Sequence, residues 1–282
     1  MSLKQIVVLG LQISIVATVF SYGLRTRAGD LLFLVRRPWL LARSLLSVFV
    51  IMPAIIIALA RVFEIKRVVE VALIALAISP VPPLLPLKET KAGGHASYGL
   101  GLLTLLALLS IPAAPLAITV LEWLSHQPLE IEAAAVARVA FFSVLGPLAA
   151  GMIVRALAPA FAERIAGTVS VGARVLLLAG AIALLAGGWR AVWGATGQGG
   201  ILAIVVFVAA GLTIGHVLGG PVRKESVVLG LSTACRHPAI AFTIASGNFP
   251  EERFAGVIIL YVLVSAIVGI PYVTWNRRRL SA

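Results

Sequence analysis

Two long apolar segments of this chain are interrupted by proline, and no straight helix accommodates either interruption. The first contains SPVPP at residues 79–83, and the second contains TACRHP at residues 233–238. Because proline lacks the backbone N–H and its ring clashes with the preceding turn, we expect each segment to split into two half-helices. Irregular backbone survives inside a bilayer only where protein covers it or where it lines a polar cavity. Paired interruptions of this kind predict a transporter whose binding site lies at the breaks.

The composition places both segments in a membrane. The chain has 282 residues, of which 60% are apolar and 12% are charged, whereas soluble domains are about half apolar and about a quarter charged. Its net charge of +12 would suit a nucleic-acid-binding protein, but Lys and Arg lie mainly in short loops between apolar segments. Loops of this kind face the cytoplasm and anionic lipid headgroups. We therefore expect the lipid bilayer as a partner, and no nucleic acid.

A transmembrane helix needs about 20 apolar residues, and the chain has about nine segments of that kind. They predict an all-α integral membrane protein with the C-terminus in the cytoplasm, because the basic loops alternate and Arg277, Arg278 and Arg279 lie at the end. The predicted spans are Gln5–Leu24, Trp39–Ala60, Val68–Leu87 (broken), Tyr98–Trp123, Ala133–Leu157, Val171–Trp189, Gly200–Leu218, Ser226–Gly247 (broken) and Phe254–Trp275.

A weak internal repeat links the two breaks. Pro80 and Pro238 are separated by almost the same number of residues as Pro112 and Pro271 in the spans that follow them. This spacing predicts one membrane domain over residues 1–282, with a first repeat at about 1–125 and an inverted second repeat at about 130–282. Two broken helices that enter from opposite faces would cross near the bilayer midplane. A chance coincidence of proline kinks is the alternative.

Arg236, in the second break, is the sharpest candidate for function. A charge at the centre of a membrane helix costs at least about 2.5–3.5 kcal/mol, so the guanidinium needs a partner. One interpretation is that it binds the carboxylate of an anionic substrate. The other is a structural ion pair with Glu89 or Glu70.

The other candidates lie beside the two breaks. His237 could relay protons or contact substrate, or it could be a structural polar group. Lys88 either reaches lipid headgroups or lines a basic vestibule, and Glu89 could carry protons. The candidate substrate-binding residues are Arg236, His237, Ser232, Thr233, Ser79, Pro80, Pro82, Pro83 and Lys88, and the candidate coupling residues are Glu89 and His237. We expect no metal site, since the chain has a single cysteine, and no enzyme, since it lacks a catalytic motif.

Three stretches of the chain resemble the bile acid:sodium symporter family in its bacterial branch. They are FSYGLRTRAGDLLFLVRRPWLLARSLLSVFVIMP, the SPVPP break followed by KAGG, and LGLSTACRHPAIAFTIAS. The resemblance implies two inverted repeats, discontinuous crossing helices, and a small or amphipathic organic anion carried across the bacterial inner membrane. It also implies a panel domain made of residues 5–24, 133–157 and 171–189, a core domain made of the other spans, and a substrate crevice between them.

The sodium sites are where the chain departs from the family. Ser232 and Arg236 stand where the family has a glutamate and a nearby glutamine, and apolar residues 83–86 replace small polar ones. We therefore expect Arg236 to repel Na⁺ and to replace it, although a sodium ion remains the alternative. The carrier would then be a uniporter, or it would be coupled to protons through His237 or Glu89.

Two other functions are compatible with this sequence. An efflux carrier of the arsenite or auxin type would share crossed broken helices, and a non-transporting membrane sensor is a further alternative. We expect the protein to be a monomer or a homodimer.

Overall fold

The computed structural model describes residues 3–62, 65–125, 133–194, 197, 199–249 and 251–280, and all regular structure in these ranges is helical. The α-helices are α1 (Leu3–Gly23), α2 (Ala28–Leu31), α3 (Pro38–Leu45), α4 (Met52–Val62), α5 (Arg67–Ile78), α6 (Leu85–Lys91), α7 (Ala96–Ser125), α8 (Ala133–Ala140), α9 (Gly146–Leu157), α10 (Pro159–Gly194), α11 (Gly200–Leu218), α12 (Arg223–Ala234), α13 (Pro238–Asn248) and α14 (Ala255–Leu280). Two π-helical turns, Leu46–Ile51 and Phe141–Leu145, join α3 to α4 and α8 to α9.

Eight helical stretches in the described ranges are long and apolar enough to cross a bilayer. The predicted first broken span, Val68–Leu87, is not one of them, because its break leaves α5 with 12 residues and α6 with 7. The chain is therefore an all-α, multi-pass membrane protein. The count of nine spans stays a prediction.

Both apolar segments break where the prolines predict. Helix α5 ends at Ile78, Ser79 is extended (φ −77°, ψ 149°), and α6 begins at Leu85. Helix α12 ends at Ala234, Cys235 is extended (φ −100°, ψ 123°), and α13 begins at Pro238. Proline is tolerated in the first turn of a helix because its missing N–H would have no partner there. Pro86 and Pro238 lie in the first turns of α6 and α13, so each second half-helix can start there.

Helix α10 differs most from its predicted span. The predicted Val171–Trp189 lies inside a continuous helix of 36 residues that begins at Pro159. The difference has a local cause, since no proline follows Pro159 within the helix, and glycine is common in membrane helices.

The helices pack in two groups, which meet where α10 lies against α14. Helices α1, α9 and α10 lie against one another. Helix α1 approaches α9 closely at two glycines, Gly23 and Gly151, where a Cβ on Gly151 would lie only 2.9 Å from Gly23 Cα. The other group surrounds α12, whose residues Glu225–Ala234 are all buried. The panel and core domains and the inverted repeat stay predictions, and the predicted boundary between the repeats falls at residues 126–132, outside the described ranges.

Candidate functional site

The two breaks touch each other through their backbones. The His237 N–H in the second break donates to the Pro80 carbonyl oxygen in the first, at 2.7 Å. Ser79 and Arg236, which flank this bond, are 0% and 1% exposed. The chain therefore brings together two irregular segments that lie far apart in sequence, and it buries them in protein as a membrane interior requires.

The guanidinium of Arg236 is held by backbone carbonyls. Its Nη1 donates to Ser79 O at 3.3 Å and its Nη2 donates to Val48 O at 2.9 Å. The alternative of a structural ion pair is not found in this conformation, since neither Glu89 nor Glu70 lies within ion-pair distance of Arg236 in the described part of the chain. The Arg236 charge is therefore balanced by peptide dipoles.

These carbonyls are available because regular helix ends or widens beside each of them. Ser79 is the last residue before the proline run, and its carbonyl lies at the C-terminal, partially negative end of α5. Val48 lies in the π-helical turn Leu46–Ile51, and such turns shift the hydrogen-bond pattern and often lie at functional sites. Both oxygens can therefore accept from a cation.

Tyr261 of α14 holds the second break through two hydrogen bonds to its backbone. Its hydroxyl accepts the Arg236 backbone N–H at 2.6 Å and donates to the Ala234 carbonyl at 2.9 Å. The side chain is 1% exposed. Sequence reasoning missed this residue, although a tyrosine in the apolar middle of a predicted span is a signal that could have indicated it.

We expect Tyr261→Phe to lower the stability of the folded protein by about 1–3 kcal/mol, because it leaves the buried Arg236 N–H without an acceptor. Thermal unfolding in detergent checks this result. Thr213→Val is the control, since the Thr213 hydroxyl is exposed and bonds only within its own helix. Equal unfolding temperatures for the two variants would contradict a fixing role for Tyr261.

Two serines in the π-helical turns reach the second break. Ser47 Oγ lies 2.7 Å from Thr233 Oγ1, and Ser143 Oγ lies 3.4 Å from His237 Nε2. His237 Nδ1 accepts the Ile240 N–H at 3.4 Å and so caps α13. This pattern assigns the proton to Nε2, which faces Ser143. His237 therefore has a structural role in this conformation, and it also lies where α13 meets the segment that carries Ser143.

Glu89 and Ser232 form a second buried polar pair. Ser232 Oγ donates to Glu89 Oε1 at 2.6 Å, and Glu89 Oε2 has no hydrogen-bond partner. Glu89 is 2% exposed, and no basic side chain in the described ranges forms an ion pair with it. The carboxyl thus links α6, the second half of one broken segment, to α12, the first half of the other.

The remaining predicted residues lie around the breaks in different roles. The Ser79 hydroxyl bonds back to Ala75 O at 2.7 Å, so only the Ser79 carbonyl serves Arg236. Pro83 is buried and Pro82 is half-buried. Lys88 is half-buried, and its Nζ lies 3.5 Å from Ser265 O of α14. In this conformation Lys88 contacts α14, and its role at lipid headgroups or in a vestibule stays a prediction.

Comparison with known proteins identifies the family. The family model for sodium bile acid symporters matches residues 12–194, which is more than half of the chain and includes the first break. No curated protein matches the chain at a significant level. The chain therefore belongs to the sodium bile acid symporter family.

Proposed function

We propose that this protein carries a small or amphipathic organic anion across the bacterial inner membrane by alternating access, with Arg236 as a tethered cation in place of sodium. Its family and its apolar helices make it a multi-pass membrane transporter. The observation that carries the proposal is the buried guanidinium, which binds the Ser79 and Val48 carbonyls and no acid in the described ranges.

Carbonyl oxygens at unwound helix ends are the groups with which transporters coordinate Na⁺. In this chain a guanidinium already occupies two of them. A second cation at the same place would meet like-charge repulsion in a medium of low dielectric constant, where such repulsion is strong. The expected consequence is transport that does not require sodium.

The substrate anion would bind where positive potential remains. The N-terminal end of α13 begins at Pro238, and a helix N-terminus carries partial positive charge. Arg236 lies two residues before this end, and His237 presents Nε2 there. We propose that Arg236 and His237 contact the substrate, while Ser79, Pro80, Pro82 and Pro83 shape the wall of the site. Ser232, Thr233 and Lys88, whose polar groups are bound elsewhere, would contact substrate only in another conformation.

Glu89 is the proposed coupling residue. A buried carboxyl without a cationic partner is stable as the neutral acid, because burial of the unpaired anion would cost several kcal/mol. If Glu89 releases its proton when the site opens to one side, proton movement accompanies the anion. Proton relay by His237 is the less favoured route, since a proton on Nδ1 would break the cap of α13.

The orientation follows from charge. The start of α12 carries Arg223 and Lys224, and the end of α14 carries Arg277, Arg278 and Arg279. By the positive-inside rule these ends face the cytoplasm. A cysteine-accessibility assay on Ala282→Cys with Cys235→Ser in intact cells would test this orientation.

A binding screen tests the proposed substrate class. The full chain, purified in neutral detergent without Na⁺, is heated with a panel of organic carboxylates and sulfonates. A bound anion raises the unfolding temperature, because it stabilises the folded state alone. We expect at least one anion to do so for the native chain and not for Arg236→Met. Stabilisation by neutral analogues or by cations alone would contradict an anion site at Arg236.

A further inference from the structure

The predicted cytoplasmic end of α14 carries an aromatic and basic cluster away from the breaks. Two guanidinium groups lie over one indole ring, with Arg223 Cζ 4.9 Å and Arg279 Cζ 5.1 Å from the centroid of Trp275. We call His216, Arg223, Tyr272, Trp275 and Arg279 the Trp275 cluster. It joins the ends of α11 and α14 to the start of α12.

The aromatic part of the Trp275 cluster is fixed by its neighbours. His216 Nδ1 lies 2.7 Å from the Tyr272 hydroxyl, and the Tyr272 hydroxyl donates to Ser226 O at 3.2 Å. The ring of Trp275 lies 5.6 Å from the His216 ring and 6.3 Å from the Tyr272 ring, between centroids. The indole is thus held at a defined place, and it is 42% exposed.

The charges of the Trp275 cluster are not balanced by acids. In the described ranges neither Arg223 nor Arg279 forms an ion pair. Glu225, the nearest acid in sequence, pairs with Arg37. Two buried guanidinium nitrogens of Arg223, Nε and Nη2, have no hydrogen-bond partner. Two positive guanidinium groups over one ring, with no acidic side chain paired to them, create a positive potential that favours the binding of an external anion.

We propose that the Trp275 cluster binds the phosphate group of an anionic phospholipid. Tryptophan at the end of a membrane helix lies at the level of the headgroups, and a guanidinium matches the geometry of phosphate oxygens. The exposed Lys224 extends the basic surface next to Arg223. The lipid would hold the start of α12 at the membrane surface, and the other end of α12 leads into the break that contains Arg236. This site is separate from the proposed substrate site, so an experiment that contradicts one proposal leaves the other unaffected.

Native mass spectrometry of the full chain tests this proposal. The protein is released from neutral detergent with phosphatidylglycerol or phosphatidylcholine of the same acyl chains. We expect preferential binding of phosphatidylglycerol. Each of Arg223→Gln and Arg279→Gln should lower that affinity about fivefold, and the double variant about 25-fold, because each change removes one direct guanidinium–phosphate contact. Arg279 is exposed at a helix end, so Arg279→Gln keeps the fold even if Arg223→Gln does not.

Arg36→Gln is the matched control, because Arg36 is an exposed arginine on the same predicted face. We expect it to bind phosphatidylglycerol as the native chain does. An equal loss in Arg36→Gln would show a general charge effect and overturn the proposal, as would equal binding of the two lipids. In a third arm, millimolar inorganic phosphate should leave the lipid bound. Displacement would assign the Trp275 cluster to a soluble phosphate compound and overturn the lipid assignment.

Discussion

Replacing Arg236 with methionine is expected to lower uptake of the transported anion by at least about 30-fold, because removal of a buried, hydrogen-bonded charge costs about 2–5 kcal/mol of binding energy. Methionine keeps the length of the side chain and removes the charge. The substrate would then meet the carbonyl oxygens of Ser79 and Val48 without the cation that these oxygens now bind. Uptake of labelled substrate into proteoliposomes measures the effect.

Two companion variants separate charge from folding. Arg236→Lys keeps the charge but cannot reach both carbonyls with a planar fork, so we expect it to retain part of the uptake. Arg138→Met removes an exposed arginine on α8 and should leave uptake unchanged. Arg236→Met itself should remain folded, since losing two hydrogen bonds is offset by no longer burying a charge. Native-like uptake by a folded Arg236→Met would show that the guanidinium is not part of the transport site.

Replacing Glu89 with glutamine is expected to abolish accumulation driven by a proton gradient while exchange of substrate continues. Glutamine can keep the hydrogen bond from Ser232 but carries no exchangeable charge. One proton moved with each anion gives about tenfold accumulation per pH unit, so the native chain should concentrate its substrate by that factor when the inside is alkaline. Glu89→Gln should reach only the external concentration.

Exchange of labelled for unlabelled substrate is the internal control for Glu89→Gln, because exchange needs the binding site and no net proton movement. Glu163→Gln provides the charge control, since that side chain is 71% exposed. If the native chain ignores the proton gradient, the carrier is a uniporter and the coupling role of Glu89 is wrong. Loss of exchange in Glu89→Gln would instead show a structural role for the carboxyl.

The breaks could be predicted from the sequence because proline acts locally. The SPVPP and TACRHP segments end their helices wherever they lie, and the structure has α5 ending at Ile78 and α12 ending at Ala234. The importance of Arg236 was also predictable, because the free-energy cost of burying a lone guanidinium in an apolar segment is tolerated mainly at functional sites.

The partners of Arg236 were not predictable in the same way. Ser79 and Val48 bind it through backbone carbonyls, and every residue has a carbonyl. The π-helical turns that place Val48, Ser47 and Ser143 lie just before Pro53 and Pro147. A proline disturbs the helical hydrogen bonds of the preceding turn, but it does not show which carbonyl will face Arg236. Acidic residues such as Glu89 can be identified in a sequence, so an ion pair with Arg236 was one of the two interpretations. In the structure Glu89 bonds to Ser232 instead.

Uptake of the labelled anion into proteoliposomes, with all Na⁺ replaced by K⁺ at constant pH, tests most directly the claim that a tethered guanidinium replaces the sodium ion. The predicted result is the same uptake rate in both salts for the native chain, and a loss of uptake in both salts for Arg236→Met. Uptake by the native chain that requires Na⁺ would contradict this account.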